Sequence, residues 1–177
     1  PEVSAKTADW VVNNLEKRGA PVHLNTQLES AVGGVCKLSN GESFESGLII
    51  WTAGVAAAPV AKNCDLPLDA RFRISANAKL QVVDGDKVVQ GAWTAGDVSA
   101  VPDLTGGGVG GYCVPNAQHA VRQAKLLAKN IAGTLRGEAP KDYFHKNLGA
   151  VAGLGIGVGA FQSGKIGITG FVAWVMH

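Results

Sequence analysis

The chain has 177 residues, of which 46% are hydrophobic and 17% charged, and these proportions exclude an intrinsically disordered protein. Its 24 glycines follow no collagen period, so they indicate tight turns and close approaches of the backbone. The formal net charge is only +2, yet from Arg122 onward seven Lys and Arg residues stand against two Asp and Glu residues. This basic final third suits an anionic membrane surface or an ordinary solvated helix face with loops.

The three cysteines, Cys36, Cys64 and Cys113, are far apart, and no C-x-x-C motif is present. This spacing argues for reduced thiols and against a disulfide framework, a zinc site or a redox dithiol. The four histidines show no ligand spacing, so we expect no metal. The chain starts at Pro1 without Met and no signal peptide follows, so we interpret it as a fragment or a processed product.

The first third predicts a helix followed by strands. Ser4 is a suitable N-cap for a helix over residues 5–18, which has an apolar stripe and stops at Gly19. Residues 21–24 read as a short buried strand. The Asn40-Gly41 pair predicts a hairpin between strands over residues 32–38 and 43–44.

Two strands are predicted to end in the same four residues. The continuous apolar run over residues 48–51 is typical of a strand buried on both faces, and it ends in Trp51-Thr52-Ala53-Gly54. After a short helix over residues 56–63, a loop and a strand over residues 79–83, the next strand ends in Trp93-Thr94-Ala95-Gly96. In open α/β sheets ligands bind outside the carboxyl ends of strands, so both exits are candidate ligand sites.

The second exit, at Gly96, has residues that are better suited to bind a ligand. Gly96 lacks a Cβ and lets a ligand approach the backbone, and the Asp97 carboxylate can accept hydrogen bonds from hydroxyls. An aspartate at this point is also an ordinary turn former. Asn116 is a suitable N-cap for an amphipathic helix that we predict to end near Leu135. Its uncharged first turn, with Ala117, leaves the positive end of the helix dipole available to a partly anionic ligand.

Two glycine-rich stretches match the G-x-G-x-x-G pattern, and we reject both as dinucleotide fingerprints. No strand leads directly into Gly106–Gly111, and Pro115 follows where a helix is needed, so we interpret this stretch as a mobile or cofactor-covering loop. The second match, over residues 155–160, runs into Gln162-Ser163-Gly164, which breaks any helix there. The glycines over residues 149–159 alternate with apolar residues, which predicts strands with a bare face, and residues 171–176 begin another apolar element.

The residues around Asp97 and at the start of the predicted helix resemble those of a known protein family. Thr94-Ala95-Gly96-Asp97 followed by Pro115-x-Ala117-Gln118-x-Ala120 resembles the second FAD-contacting segment of the two-dinucleotide-binding-domain flavoproteins. The run Ala117-Gln118-x-Ala120-x-x-Gln123 is similar to the type II NADH dehydrogenases (NADH:quinone oxidoreductases). The family often has glutamines at the positions of Arg122 and Gln123, and Arg122 departs from that pattern.

The resemblance implies an α/β fold made of partial FAD/NAD(P)-binding Rossmann-like domains, with pieces of a parallel sheet, a β-hairpin or meander, and amphipathic helices. Residues 1–54 would be the C-terminal part of the NAD(H)-binding domain, and residues 55–145 the C-terminal part of the FAD-binding domain. Residues 146–177 would begin a truncated quinone- and membrane-proximal region.

The resemblance also implies roles for particular residues, none of them a catalytic side chain. FAD would be held by Gly96 and Asp97 and by the helix start at Ala117 and Gln118. The nicotinamide side of the site would be formed by Ala53 and Gly54. The quinone would contact Gln118 and Arg122.

The expected function is that of a bacterial peripheral membrane flavoprotein on the cytoplasmic face of the plasma membrane, which oxidises NADH through FAD and reduces quinone. A soluble NAD(P)H-dependent FAD reductase with a protein or disulfide acceptor is the alternative enzyme, and the missing C-x-x-C motif argues against it. The isolated chain is alternatively a non-catalytic folded module. We expect membrane contact through helices that this chain lacks and no nucleic-acid partner, and the sequence leaves homodimerisation open.

Overall fold

The computed structural model describes residues 3–146 and 148–177 of a mixed α/β chain, as the sequence predicts. The chain divides into two compact units. The first comprises residues 3–52 together with residues 148–177, and the second comprises residues 53–146. Each unit is described by itself.

The first unit has two helices and two antiparallel sheets of three strands each. Its first part contains α1 (Ala5–Lys17), β1 (Leu28–Val32), β2 (Val35–Leu38) and β3 (Ser43–Glu45), and the strands pair in the order β1-β2-β3. Its second part contains β8 (Ala150–Gly153), β9 (Gly159–Ser163), β10 (Ile166–Gly170) and α3 (Phe171–Val175), and β9 lies between β8 and β10.

Helix α1 starts where the sequence predicts, and a buried glutamine holds its first turn. The Ser4 hydroxyl accepts from the Thr7 N–H at 3.3 Å and caps the helix. Gln162 on β9 is only 3% exposed, and its side-chain oxygen accepts from the Thr7 hydroxyl at 2.7 Å and from the Ser4 hydroxyl at 3.0 Å. The start of α1 is therefore joined to the sheet.

The hairpin at Asn40-Gly41 is confirmed, since β2 and β3 pair antiparallel with Lys37 opposite Ser43. The prediction of one strand over residues 32–38 is wrong, because the chain turns at Gly33 and Gly34 between β1 and β2. Both glycines have left-handed φ angles of +65° and +81°, which other residues adopt only with strain.

Two further strand predictions in this unit are wrong. Residues 21–24 form no strand, and Leu24 is exposed. The apolar run over residues 48–51 also lies outside any strand, with Ile50 76% and Trp51 69% exposed. A strand buried on both faces needs neighbouring strands and two covering layers, and the described residues supply neither for this run.

The bare face predicted for the glycine-rich C-terminal strands is confirmed at Gly159. A Cβ placed there would lie 2.7 Å from the Trp174 nitrogen, so α3 packs directly on the backbone of β9. The outer side of α3 leaves Phe171 and Val175 exposed. Among the described residues, no helix combines the length and the hydropathy needed to cross a membrane.

The second unit packs one long helix against short strands. It contains a 3₁₀ turn (Pro59–Asn63), β4 (Ile74–Ser75), β5 (Gln81–Asp84), β6 (Lys87–Trp93), β7 (Ser99–Ala100) and α2 (Ala117–Leu135). The predicted helix over residues 56–63 is thus shortened to a single 3₁₀ segment. Its core includes Leu80 and Val101, which have no exposed surface. Within the described chain, parallel pairing between strands is confined to β4 and β7.

Candidate functional site

The chain leaves β6 through a tight turn that presents Asp97. The Ser99 N–H donates to the Gly96 carbonyl at 3.0 Å, which closes a four-residue turn with Asp97 in its second position. Gly96 has a φ of +77°, in the left-handed region that favours glycine. The Thr94 and Ser99 hydroxyls are buried and hydrogen-bonded to each other, whereas Asp97 is exposed.

Helix α2 begins at the predicted residue. The Asn116 side-chain oxygen accepts from the His119 N–H at 2.9 Å, and the first turn holds no acidic residue. The positive end of the helix dipole is therefore not neutralised by its own side chains. In the same segment, an Arg122 guanidinium N–H donates to the Gln118 carbonyl at 2.9 Å, so Arg122 lies along its own helix.

The turn and the start of α2 lie against each other. A Cβ placed on Gly96 would be 3.7 Å from the Ala120 Cβ, which is ordinary van der Waals contact. The Gln123 side chain, 2% exposed, accepts from the Gly96 N–H through its amide oxygen at 2.7 Å. The structure thus brings Gly96 and Asp97 together with the beginning of α2.

A cavity of about 10 Å³ remains between the turn and the helix. This volume is at the lower limit for one water molecule, so a flavin cannot enter it. The cavity is lined by Arg73, Gly96, Asp97, Ser99, Cys113, Val114, Pro115, His119 and Gln123.

A buried aromatic cluster stands behind the first turn of α2. His119 is 4% exposed, and its Nδ1 lies 2.9 Å from the Tyr143 hydroxyl. The His145 ring meets the His119 ring edge-on, with centroids 5.6 Å apart. Sequence reasoning gave these residues no role, because nothing in the local sequence indicates that His119 and Tyr143 meet across 24 positions.

Burial is the largest cause of the pKa shifts in this cluster. It lowers the pKa of His119, and the neighbouring His145 lowers it further, while Asp103 opposes the shift. Burial followed by the charge of Arg122 lowers the pKa of His145, whose Nε2 is buried and has no hydrogen-bond partner within the described chain. Burial is also the main reason that the pKa of Tyr143 rises to about 12.

Cys113, which lines the cavity, is a packed thiol. Burial, followed by the negative charge of Asp103, raises its pKa from 9.0 to about 11, so it is protonated at neutral pH and a poor nucleophile. Burial alone would raise the pKa of Asp103, but hydrogen bonds from the Thr105 side chain and backbone outweigh it and leave that pKa lowered.

The first strand exit is unlike the second. Ala53 and Gly54 are exposed and lie outside any helix or strand, and neither lines the cavity beside Asp97. Thr94 in the second exit is 6% exposed, whereas Thr52 at the matching position is exposed. The same four residues, at 51–54 and at 93–96, therefore lie in different environments. The reason is that β6 is paired in a sheet and residues 48–51 are not.

The glycine-rich loop over residues 106–111 is not a dinucleotide fingerprint, in agreement with the prediction from the sequence. Residues 106–111 are irregular, and the next helix starts only at residue 117. A Cβ placed on Gly108 would lie 2.1 Å from the Tyr112 carbonyl oxygen, so the loop folds closely onto itself. No group of three or more His, Cys, Asp or Glu side chains that could hold a metal occurs in the part of the chain that the structure describes.

Comparison with known proteins supports the resemblance. A type II NADH:quinone oxidoreductase of Staphylococcus haemolyticus is 30% identical over 159 residues, which are 88% of this chain and 37% of the relative. The enzyme of that name from Haemophilus influenzae is 28% identical, over 87% of this chain and 33% of the relative. The chain therefore spans about a third of the length of these relatives.

A solved structure has the same fold. The structure of NDH2 from Plasmodium falciparum in complex with NADH superposes with a TM-score of 0.79 at 12% identity, and it covers 98% of this chain and 50% of that protein. The family model described as pyridine nucleotide-disulphide oxidoreductase matches residues 1–124. The chain belongs to the pyridine nucleotide-disulphide oxidoreductase family.

Proposed function

We propose that this chain forms the flavin-holding and acceptor-facing part of an enzyme that oxidises NADH through FAD and reduces quinone. The observation that carries the proposal is the convergence of two elements. The turn at Gly96 presents the exposed Asp97 beside the first turn of α2. The names of the relatives support the same function, and the third of their length that this chain covers agrees with its being one part of the enzyme.

The residues present suit FAD on the outer side of this turn. Asp97 is exposed and forms no salt bridge with any described residue, so its carboxylate can accept hydrogen bonds from ribitol hydroxyls. The helix start at Ala117 and Gln118 offers its dipole to the electron-rich edge of the flavin ring. FAD, when bound, supplies the hydride and electron chemistry, and the chain holds and orients it.

Gln118 and Arg122 are our candidates for contact with the quinone head group. They lie one helical turn apart on α2, on the same side of the helix, and the Arg122 guanidinium is held by the Gln118 carbonyl. Guanidinium has five N–H donors, so further donors remain for a carbonyl oxygen of the acceptor. We place NADH on the side of Ala53 and Gly54, from the family resemblance alone.

The exposed apolar side of α3 supports attachment to a membrane surface. Phe171, Val172 and Val175 are all more than half exposed, and apolar residues on one side of a helix favour the interface of a bilayer. We place the enzyme on the cytoplasmic face of the plasma membrane, where anionic lipids attract the basic final third of the chain. Homodimerisation stays a prediction.

Replacing Asp97 with alanine should weaken FAD binding by the complete enzyme by about tenfold or more, because hydrogen bonds to a charged acceptor are lost. Flavin absorbance per mole of purified protein and titration of the apoenzyme with FAD measure the change. Asp86→Ala is the matched control, since Asp86 is another exposed turn aspartate. Unchanged FAD affinity in Asp97→Ala would remove Asp97 from the site.

Replacing Gln118 with alanine should lower kcat/KM for a soluble quinone by about tenfold while leaving the reduction of a soluble dye by NADH nearly unchanged. The reason is that the dye takes electrons without occupying the quinone pocket. Steady-state assays with both acceptors on the same preparation measure the split. Equal losses with both acceptors would place Gln118 away from the quinone.

A further inference from the structure

We propose that Gln123 is a positioning residue that holds the turn at Gly96, and through it Asp97, in the orientation that FAD binding requires. This inference rests on the proposed function. It concerns a buried residue, since Gln123 is 2% exposed, whereas Asp97 is exposed.

The contact is specific and comes from a distant part of the chain. The Gln123 amide oxygen accepts from the Gly96 N–H at 2.7 Å across 27 positions of sequence. The Gly96 N–H belongs to the Ala95–Gly96 peptide, so this bond fixes the backbone that leads into Asp97. The Gln123 side chain also interacts with the thiol of Cys113, so the amide has partners in the turn and in the segment that precedes α2.

The other end of the turn is held separately. The Ser99 N–H bonds to the Gly96 carbonyl, and the Val98 carbonyl accepts from the Ile74 N–H at 2.8 Å. The first bond closes the turn itself, and the second accompanies the pairing of β4 with β7 and anchors Val98, the residue after Asp97. Gln123 therefore supplies an anchor at Gly96, on the side before Asp97, from the helix whose first turn we place against the flavin.

The nature of the residue supports a positioning role over a packing role. A buried amide is costly unless its polar atoms are hydrogen-bonded, and an apolar side chain at this position of α2 would fill the same space. A methionine has nearly the volume of glutamine and lacks a strong acceptor. Gln123→Met would thus leave the Gly96 N–H without its partner while the helix stays packed.

The test is a double-mutant cycle on FAD affinity in the complete enzyme, using Gln123→Met, Asp97→Ala and the combination. We expect Gln123→Met to weaken FAD binding by about tenfold when Asp97 is present. With alanine at position 97, the same substitution should change the affinity by less than about twofold. Equal effects in both backgrounds would show that Gln123 does not act through Asp97 and would overturn the proposal.

Asn130→Leu is the matched control for general destabilisation. Asn130 is a second buried amide on α2, 3% exposed, but it bonds to the backbone of Lys79 and Lys141 instead of the turn. We expect its substitution to leave the FAD affinity of the folded enzyme unchanged. A loss of FAD affinity equal to that of Gln123→Met would count against positioning.

A measurement on the chain itself does not depend on FAD. Hydrogen exchange of the Gly96 amide should accelerate by about tenfold in Gln123→Met relative to neighbouring amides, and Gln123→Glu, which keeps an acceptor oxygen, should restore slow exchange. Unchanged exchange in Gln123→Met would overturn the proposal. Suppose that Asp97→Ala leaves FAD affinity unaltered while Gly96 exchange accelerates as expected in Gln123→Met. The proposed FAD site would then be wrong, and the hydrogen bond by which Gln123 holds Gly96 would still be supported.

Discussion

Replacing Asn130 with leucine should lower the free energy of unfolding of the second unit by about 3 kcal/mol or more, because each buried polar group left without a partner costs about 1–3 kcal/mol. The Asn130 amide nitrogen donates to the Lys79 carbonyl at 2.9 Å and to the Lys141 carbonyl at 2.8 Å. Its oxygen accepts from the Lys141 N–H at 3.0 Å. Leucine would leave two carbonyls and one N–H unpaired.

These three bonds join three segments that are separated in sequence. They attach the middle of α2 to the loop before β5 and to the segment that follows the helix. The segment after the helix carries Tyr143 into the core, where it is 4% exposed. Losing the Asn130 contacts should therefore weaken the attachment of the segment that follows the helix.

Urea unfolding monitored by tryptophan fluorescence and by circular dichroism would measure the change. Lys129→Ala is the neighbouring control, because Lys129 is exposed on the same helix, and surface substitutions of this kind stay within about 0.5 kcal/mol. A loss in Asn130→Leu no larger than that of the control would show that the three bonds contribute little.

Local sequence signals were sufficient to predict those helices and hairpins whose ends are marked by capping or turn residues. The cap at Asn116 and the glycine at position 137, with a φ of +82°, define α2 as predicted. The hairpin at Asn40-Gly41 is another such case. In each of these the residues that decide the structure are adjacent in sequence, so pattern reasoning reaches them.

The errors and omissions have a common physical origin. The run over residues 48–51 has the composition of a buried strand, but a strand exists only where neighbours pair with it. Gln123 and Asn130 interrupt the apolar face of α2. The partner of Gln123 lies 27 positions away, and those of Asn130 lie 51 and 11 positions away. The sequence identifies Gln123 only as one position of a family motif. Its hydrogen-bond partner could not be predicted, because the partner of a buried amide is decided by tertiary contacts.

The stability of the second unit should fall as the pH drops below about 6.5, the ordinary histidine pKa. The pKa values of His119 and His145 are both lowered in the folded chain. Below 6.5 the unfolded chain binds protons that the folded chain still excludes, so stability decreases with falling pH. Their contribution is fully present above pH 6.5 and is lost as the pH falls through the folded pKa values.

The carboxylates do not obscure this window. The pKa values of Asp69 and Asp103 are lowered from 3.8, so their contribution is present above pH 3.8 and is lost only below it. On the alkaline side the signs reverse. The pKa of Cys113 rises from 9.0 to about 11 and that of Tyr143 from 10.0 to about 12, so stability holds below pH 9 and is lost as the pH rises through those values.

Free energies of unfolding measured between pH 5 and pH 8 would test the acid limb, and His119→Phe combined with His145→Phe should flatten it by up to about two protons. The substitutions keep aromatic rings in the cluster and remove its titration near neutral pH; they also remove the hydrogen bond between His119 and Tyr143, so the slope with pH is the readout and not the stability at one pH. His23→Phe is the control, because His23 is exposed in the first unit. If the double variant kept the slope of the unsubstituted chain, other groups would be responsible for the acid loss.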